Sequence, residues 1–237
     1  MRLIILLVSF HIITVRAFAQ DPKDLCKRLN ELNYKILTGS IKKKEAADQF
    51  AQLITELGEN MPTDDNISWV FPLQGYNYHA IGGTNGNGYS DKGYDYLDGN
   101  KHAAHPAHDI FIRDKNQDCI DDRTHQPVNV LAIADGIVIA CADRWDSDSQ
   151  LRGGKFIWIF HRSLRLFTYY AHNSSIFVRP GDIIKQGQKI AEVGRTGLNA
   201  YKKRSPTHLH FSAFRLSLSW LPIPFNPYPQ LTQAKSK

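Results

Sequence analysis

The stretch His208-Leu209-His210-Phe211-Ser212-Ala213 alternates polar and apolar side chains with a period of two. That pattern marks a strand with one face in a core and the other free. Side chains alternate across a strand, so His208 and His210 project from one face, roughly 6–7 Å apart, and Leu209 and Phe211 point to the other. Two imidazoles on one wall are either metal ligands or ordinary surface histidines, and the strand alone does not choose between them.

From residue 105 onward the chain carries strand candidates at Asp109–Ile112, Val128–Ala140, Phe156–Phe160, Leu166–Ala171, Gln188–Val193 and His208–Leu216. Asp135-Gly136 is a turn signal that splits the long run in two, and Pro180-Gly181-Asp182 and Lys185-Gln186-Gly187 mark further turns. Short strands between Gly, Asp and Asn turns predict a mainly β fold, an antiparallel sandwich or barrel-like sheet. Upstream the period changes. Leu25, Leu29, Leu32 and Ile36 repeat at helical spacing, Gly39-Ser40 breaks the run, and Ala46 or Ala47, Phe50, Ile54 and Leu57 resume it up to a C-cap at Gly58. This predicts an N-terminal helical hairpin with Lys42, Lys43 and Lys44 in its turn. It is either a docking or regulatory element or a structural appendage packed on the β unit. Between the two regions, glycines (Gly75, Gly82, Gly83, Gly86, Gly88, Gly93, Gly99) interleave with Tyr76, Tyr78, Tyr89, Tyr94 and Tyr96. So long a loop is either an ordered surface loop beside a binding site or a flexible linker.

The chain has 237 residues, of which 42% are hydrophobic, enough for a packed core and too many for a disordered chain. With 16 glycines and 11 prolines it is not collagenous. At the N-terminus, Arg2, the apolar Leu3 to Val8 and the small-residue Ala17-Phe18-Ala19 before Gln20 are laid out like a secretory signal peptide over residues 1–19. A membrane anchor is the alternative, but His11 and Arg16 interrupt the apolar run, and a span needs about 20 apolar residues. No Cys follows the cleavage point, so a lipoprotein anchor is not indicated. Loss of Arg2 and Arg16 lowers the formal charge from +6 to +4. That suits an anionic envelope partner and is too weak to argue for nucleic acid. Cys26, Cys119 and Cys141 permit one disulfide, with Cys119 and Cys141 the more local pair, or three unpaired thiols. None has a zinc-finger spacing.

Two further stretches join the HxH strand. In His105-Pro106-Ala107-His108-Asp109 an extended chain puts His105 and Asp109 on one face and His108 on the other. His172 follows Tyr169-Tyr170-Ala171 at a strand end, where it is either a proton carrier or a solvent-exposed histidine. His105, Asp109 and His210 make a three-ligand set, with His172 and His208 to spare. Three protein ligands leave one position open, which separates catalytic from structural zinc, and zinc makes water nucleophilic near neutral pH. A neutral histidine takes or orients a proton, and a second one donates. The set suits amide hydrolysis without a covalent intermediate.

These residues, with Ala134-Asp135-Gly136, Tyr170-Ala171-His172, Val178-Arg179-Pro180-Gly181-Asp182, Gln186-Gly187-Gln188, Gly194-Arg195-Thr196-Gly197 and Thr207-His208-Leu209-His210-Phe211, resemble the lysostaphin-type (LytM-like) zinc endopeptidases of bacterial peptidoglycan. The likeness runs over roughly residues 105–215. It implies that His105, Asp109 and His210 bind one zinc ion per chain and that His172 and His208 are catalytic. It further implies a LytM-like domain over 105–220, preceded by the signal peptide (1–19), a helical segment (20–60) and the Gly/Tyr-rich region (61–104), and followed by a tail (221–237). The chain departs from the family at Arg113 to Gln126, where Asp114, Asn116, Asp118, Asp121 and Asp122 are spaced either as a calcium loop or as a solvated acidic turn. It departs again at the basic Lys202-Lys203-Arg204, which either meets an anionic substrate or is solvated. His79, His102, His125 and His161 are read as surface or hydrogen-bonded structural histidines.

The expectation is therefore a secreted or periplasmic zinc metalloendopeptidase that cleaves peptidoglycan stem peptides or cross-bridges, with no nucleic-acid partner and no membrane span after signal cleavage. The alternatives are a non-catalytic envelope protein that binds peptidoglycan or regulates an amidase through the same groove, and a zinc peptidase of proteins or free peptides.

Overall fold

The computed structural model describes residues 20–61, 68–101 and 104–237. The signal peptide expected over 1–19, and His102, lie outside the described residues. Among the described residues no helix is long and apolar enough to cross a membrane.

The hairpin consists of α1 (Pro22–Thr38) and α2 (Lys43–Glu59). Asp21 caps α1 by accepting the Lys23 N–H at 3.0 Å, and Gly39 ends it at a left-handed φ of 67°, which a residue without Cβ adopts without penalty. Helix α2 runs through Gly58 and is capped by Asn60, two residues later than its glycine suggested. The stripe Leu25, Leu29, Leu32, Ile36 on α1 and Ala46, Phe50, Ile54, Leu57 on α2 is buried, so the helical period locates the packing face.

Among the described residues ten strands follow: β1 (His108–Phe111), β2 (Asn129–Leu131), β3 (Gly136–Ala142), β4 (Phe156–His161), β5 (Leu166–Ala171), β6 (Asn173–Ile176), β7 (Ile183–Ile184), β8 (Lys189–Val193), β9 (His208–Leu216) and β10 (Pro222–Phe225). The larger sheet has the order β1-β9-β5-β4-β3-β7, with β10 also on β9; the smaller is β2-β8-β6. All these pairings are antiparallel. The turn at Asp135-Gly136 does more than split a run. It sends β2 and β3 into different sheets, and Asp135 is held there by Lys185 Nζ (2.6 Å) and the Gln186 N–H (2.7 Å).

The larger sheet is buried on both faces, which explains why β4 reads as one unbroken apolar run. Ile157 and Ile159 of β4, with Leu209 and Phe211 of β9, face the smaller sheet. Trp158 and Phe160, with Phe167 and Phe214, face the helical hairpin. Phe50 reaches from α2 to Tyr96 (5.1 Å) and Phe167 (5.9 Å), and Asn30 of α1 accepts the Cys141 N–H at 2.9 Å. Structurally the hairpin is thus packed on the β unit. The stretch 221–237, read from sequence as a tail, instead supplies β10 and α3 (Tyr228–Gln233). It then returns to the strand-like segment around Val70, where Phe71 N–H meets Lys235 O at 2.9 Å.

All three cysteines are free thiols, not a disulfide and a spare. Burial raises the Cys26 thiol to about 12 and the Cys141 thiol to about 11. Of the histidines read as structural, His79 and His125 are exposed and His161 is fully buried. The His161 Nδ1–H donates to Asp135 O (2.8 Å), and its Nε2 accepts from the Thr168 hydroxyl (2.7 Å). Burial outweighs that carbonyl contact and lowers its pKa to about 4 from an ordinary 6.5. A depressed histidine contributes stability that is complete above the unfolded pKa and lost as pH falls through the folded one. Urea unfolding should therefore show a stability loss between pH 6.5 and pH 4 that shrinks by about 2–3 kcal/mol in His161→Gln.

Candidate metal centre

The site lies on the hairpin-facing side of the larger sheet and is set by the pairing of β1 with β9. In that register Asp109 stands opposite His210 and Phe111 opposite His208. Residues directly opposite each other in an antiparallel pair share a face, so Asp109, His208 and His210 project together. His105 precedes β1. The Ala107 N–H bonds to His105 O at 2.8 Å in a tight turn, which brings His105 Nε2 to 3.3 Å from Asp109 Oδ1. The same oxygen lies 3.1 Å from His210 Nδ1 and 3.7 Å from His208 Nε2. His172, arriving at the end of β5, packs its ring 5.0 Å from His208 and 5.4 Å from His210. The five expected side chains thus meet around one carboxylate. One donor atom each from His105, Asp109 and His210 lies within 4.8 Å of the others, and they are the only such group of three among the described residues. His108 points away: it is buried against Tyr89 and Tyr228 and bonded to Asn226 Oδ1 at 2.9 Å.

Backbone carbonyls hold three of the rings. His105 Nδ1 contacts Gly88 O (3.1 Å), His172 Nδ1 contacts Thr196 O (2.8 Å) and His208 Nδ1 contacts Pro206 O (2.7 Å). A carbonyl only accepts, so each Nδ1 carries the proton and each Nε2 is left for the cluster; on His105 that Nε2 is a lone pair for a metal when the ring is neutral and an N–H donor to Asp109 when it is protonated. Burial would raise the Asp109 carboxyl, but hydrogen bonds from His105 and His210 hold it well below the usual range, so it is ionised. The Asp109 hydrogen bond raises His105. Burial lowers His210, and burial together with the neighbouring imidazoles lowers His172 far further. Neutral imidazoles beside an ionised carboxylate are the donor set that zinc prefers.

The supporting shell was not assigned from the sequence. Gly88 belongs to the Gly/Tyr-rich region, and Ser90 pairs with His105 through N–H···O bonds of 2.9 and 2.8 Å, so that region builds the site directly. His172 adopts a left-handed φ of 67°, unusual for a side chain of its size. A Cβ on Gly197 would sit 2.8 Å from His172 Nδ1 and 2.5 Å from Arg152 O, so this position admits no side chain. Thr207, next to His208, donates to Asp114 Oδ2 at 2.6 Å, and Arg195 binds the Ser205 and Lys202 carbonyls.

That inward role also decides the acidic insert. Asp114 accepts the Asp118 and Cys119 N–H groups, Asp118 the Ile120 N–H, and Asp122 the Lys115 N–H. Asp121 is taken by Arg123 and the Tyr76 hydroxyl. These carboxylates serve turns and loop bracing. Lys203 and Arg204 are exposed.

A buried antiparallel sheet thus presents, in a groove, a His/Asp cluster whose donor atoms could hold a metal ion. A model of Peptidase family M23 matches residues 115–219. The match spans His172, His208 and His210 and begins after His105 and Asp109. The chain is 25% identical over 217 residues to an uncharacterized metalloprotease of Haemophilus influenzae, covering 84% of this chain and 42% of that protein. It is 30% identical over 156 residues to the outer membrane antigenic lipoprotein B of Histophilus somni, covering 65% and 34%. The chain therefore spans less than half the length of either curated relative. Among solved structures, the catalytic domain of lysostaphin from Staphylococcus simulans aligns at 26% identity and a TM-score of 0.39, covering 55% of this chain and 81% of that one. A putative glycyl-glycine endopeptidase lytM from Ruminococcus gnavus aligns at 18% identity and 0.49, covering 95% and 94%.

Replacing His210 by Ala should reduce bound zinc, measured by elemental analysis after dialysis, from about one ion per chain to background. His108→Ala, on the far side of β1, should leave it at one.

Proposed function

We propose that the chain is an envelope-directed zinc endopeptidase that hydrolyses peptide bonds in peptidoglycan stem peptides or cross-bridges, exported by its N-terminal segment. The observation that carries this reading is the meeting of His105, His208 and His210 around Asp109 Oδ1, with His172 packed on the last two, in a chain whose residues 115–219 match a peptidase family model. His105, Asp109 and His210 would hold the metal, through the nitrogens that face Asp109. A bound zinc ion supplies a Lewis acid for the amide carbonyl and makes a water molecule nucleophilic near neutral pH.

The chain's own residues do the rest. His172 and His208 each anchor Nδ1–H on a backbone carbonyl and leave Nε2 toward the groove. Between them they move one proton from the attacking water to the leaving amine, and the ring that carries it donates to the developing oxyanion. The Thr196 and Pro206 carbonyls stabilise each ring when it is protonated and stop it from turning over. Aromatic rings flank the groove: Tyr169 stands edge-on to His210 at 6.1 Å, and Trp145 and Tyr201 meet in a tilted pair at 5.4 Å between two neighbouring loops.

Digestion of purified muropeptides with mass analysis of the products tests the reading. Wild type should release cleaved peptides. His208→Ala and His172→Ala should each retain about one zinc ion yet lose at least about a hundredfold in kcat/KM. Tight zinc with intact muropeptides after wild-type digestion would instead favour a groove that binds without cutting.

A further inference from the structure

The His/Asp cluster occupies one end of a cavity of about 290 Å³ that runs to the helical hairpin. Ile36 and Leu37 of α1 close the far end, and Trp158 and Phe214 wall it. Polar side chains interrupt this apolar lining: Asn33, Asn100, Arg152 and Ser212. Among the described residues that line the cavity, Arg152 carries the single charge outside the His/Asp cluster. Its charge reaches both ends of that lining. It opposes protonation of His105, and it favours ionisation of Tyr169, where burial acts the other way.

Arg152 is fixed at its root and at its tip. The next residue, Gly153, accepts the His172 N–H at 2.9 Å, and a Cβ there would overlap the Tyr169 hydroxyl. Gly154 follows at a left-handed φ of 64°, packed on Thr196 and Gly197. The root of Arg152 is therefore tied to the segments that hold His172. Its Nη1 donates to Asn100 O at 3.4 Å. Asn100 Nδ2 in turn donates to Leu37 O (3.3 Å), and Lys43 of α2 pairs with Asp95 and Asp98. The guanidinium thus stands where the site meets the hairpin.

Two buried neutral donors accompany it. Asn33 is 5% exposed; its Oδ1 accepts from the Tyr96 hydroxyl (3.3 Å), and its amide nitrogen has no hydrogen-bond partner among the described residues. Ser212 is 1% exposed, on the face of β9 that carries His208 and His210, and its hydroxyl is likewise without a partner among the described residues. Buried polar groups are satisfied as a rule. Two that are not, in a cavity with one cation, mark a place for an oxygen-bearing anionic group.

We propose that this cavity is the subsite for an acidic side branch of the substrate, an aliphatic chain that ends in a carboxylate and belongs to a residue beside the cleaved bond, and that Arg152 pairs with the carboxylate. The inference rests on the peptidase reading above and narrows it to stem peptides, whose residues carry free carboxylates, as against bridges of glycine alone. A peptide with its reacting carbonyl at the His/Asp cluster advances 3.8 Å per Cα, so the branch of a neighbouring residue enters the cavity. A guanidinium carries five N–H donors in one plane and serves a carbonyl and a carboxylate together. The methylenes of the branch lie on Leu37, Trp158 and Phe214, and those walls strengthen the ion pair by lowering the local dielectric. Asn33 and Ser212 donate to oxygens of the same residue. A charge-assisted pair separates a carboxylate from its amide by about tenfold or more.

Two measurements on the full chain test the subsite. In the first, zinc-loaded protein is given N-acetylated, C-amidated peptides that differ in one residue, Glu, Gln, Leu or Gly, placed on each side of the cleaved bond in turn. On one side Glu should exceed both Gln and Leu by at least about tenfold in kcat/KM. Arg152→Gln should bring the Glu-to-Gln ratio near one, and Arg152→Lys, which keeps the charge and loses the planar fork, should fall between. Zinc should stay at one per chain in both variants. A wild-type ratio near one, or a ratio that neither variant moves, overturns the subsite. So does a preference that appears only when the C-terminal amide is replaced by a free carboxylate, which would put the anion at a chain end. The second measurement is NMR titration of zinc-loaded protein with the α-amide of N-acetylglutamate. Saturable binding that N-acetylglutamine amide lacks and Arg152→Gln abolishes supports the subsite. Binding that survives Arg152→Gln puts the carboxylate on the metal and overturns it, as does no binding. A chain that cuts no peptide but binds the glutamate amide through Arg152 would refute the peptidase reading and leave the subsite standing.

Discussion

Pairing of the first strand with the ninth is the constraint on which the site depends. Asp109 and His210 are 101 positions apart, and only the antiparallel register of β1 on β9 places them face to face. A slip of one residue would send Asp109 to the other side of the sheet. Several features resist it. Ile110, Leu209 and Phe211 are fully buried on the opposite face, and β9 is flanked along its length by β5 on one side and by β1 and β10 on the other. The geometry of the His/Asp cluster is therefore a by-product of the core.

What the core does not settle, backbone carbonyls do. Gly88, Thr196 and Pro206 each accept from one imidazole, and each comes from a different loop. The loops are in turn braced. The insert after β1 holds Thr207 through Asp114, and Gln117 Nε2 reaches Lys203 O at 2.8 Å. The Gly/Tyr-rich segment pairs with His105 and also joins the hairpin through Lys43. The parts that look peripheral in the chain all converge on ring orientation, where errors of a few tenths of an ångström matter most.

Much of this was legible in the sequence. Strands β5 and β9 were expected at their observed bounds, and the hairpin's buried stripes follow the helical period. The parts that were not legible share physical causes. β6 and β7 are short and carry no alternation, and β10 is Pro-Ile-Pro-Phe, a composition that speaks against a strand except at an edge, where it lies. The supporting carbonyls leave no mark in a sequence because every residue has one. The acidic insert reads two ways because a carboxylate that caps its own loop has the same spacing as one that binds a cation. His105 and Asp109 were placed on one face by strand parity, yet His105 lies outside β1 and reaches Asp109 through a turn.

The left-handed backbone at His172 sets two demands at odds. The chain leaves the larger sheet there and enters the smaller one, and a residue without a β-carbon would make that crossing with less strain. The same position holds the imidazole that the neighbouring carbonyl orients. Under the proposed chemistry, drift toward easier folding at this crossing is drift away from turnover, so foldability and chemistry compete for a single codon.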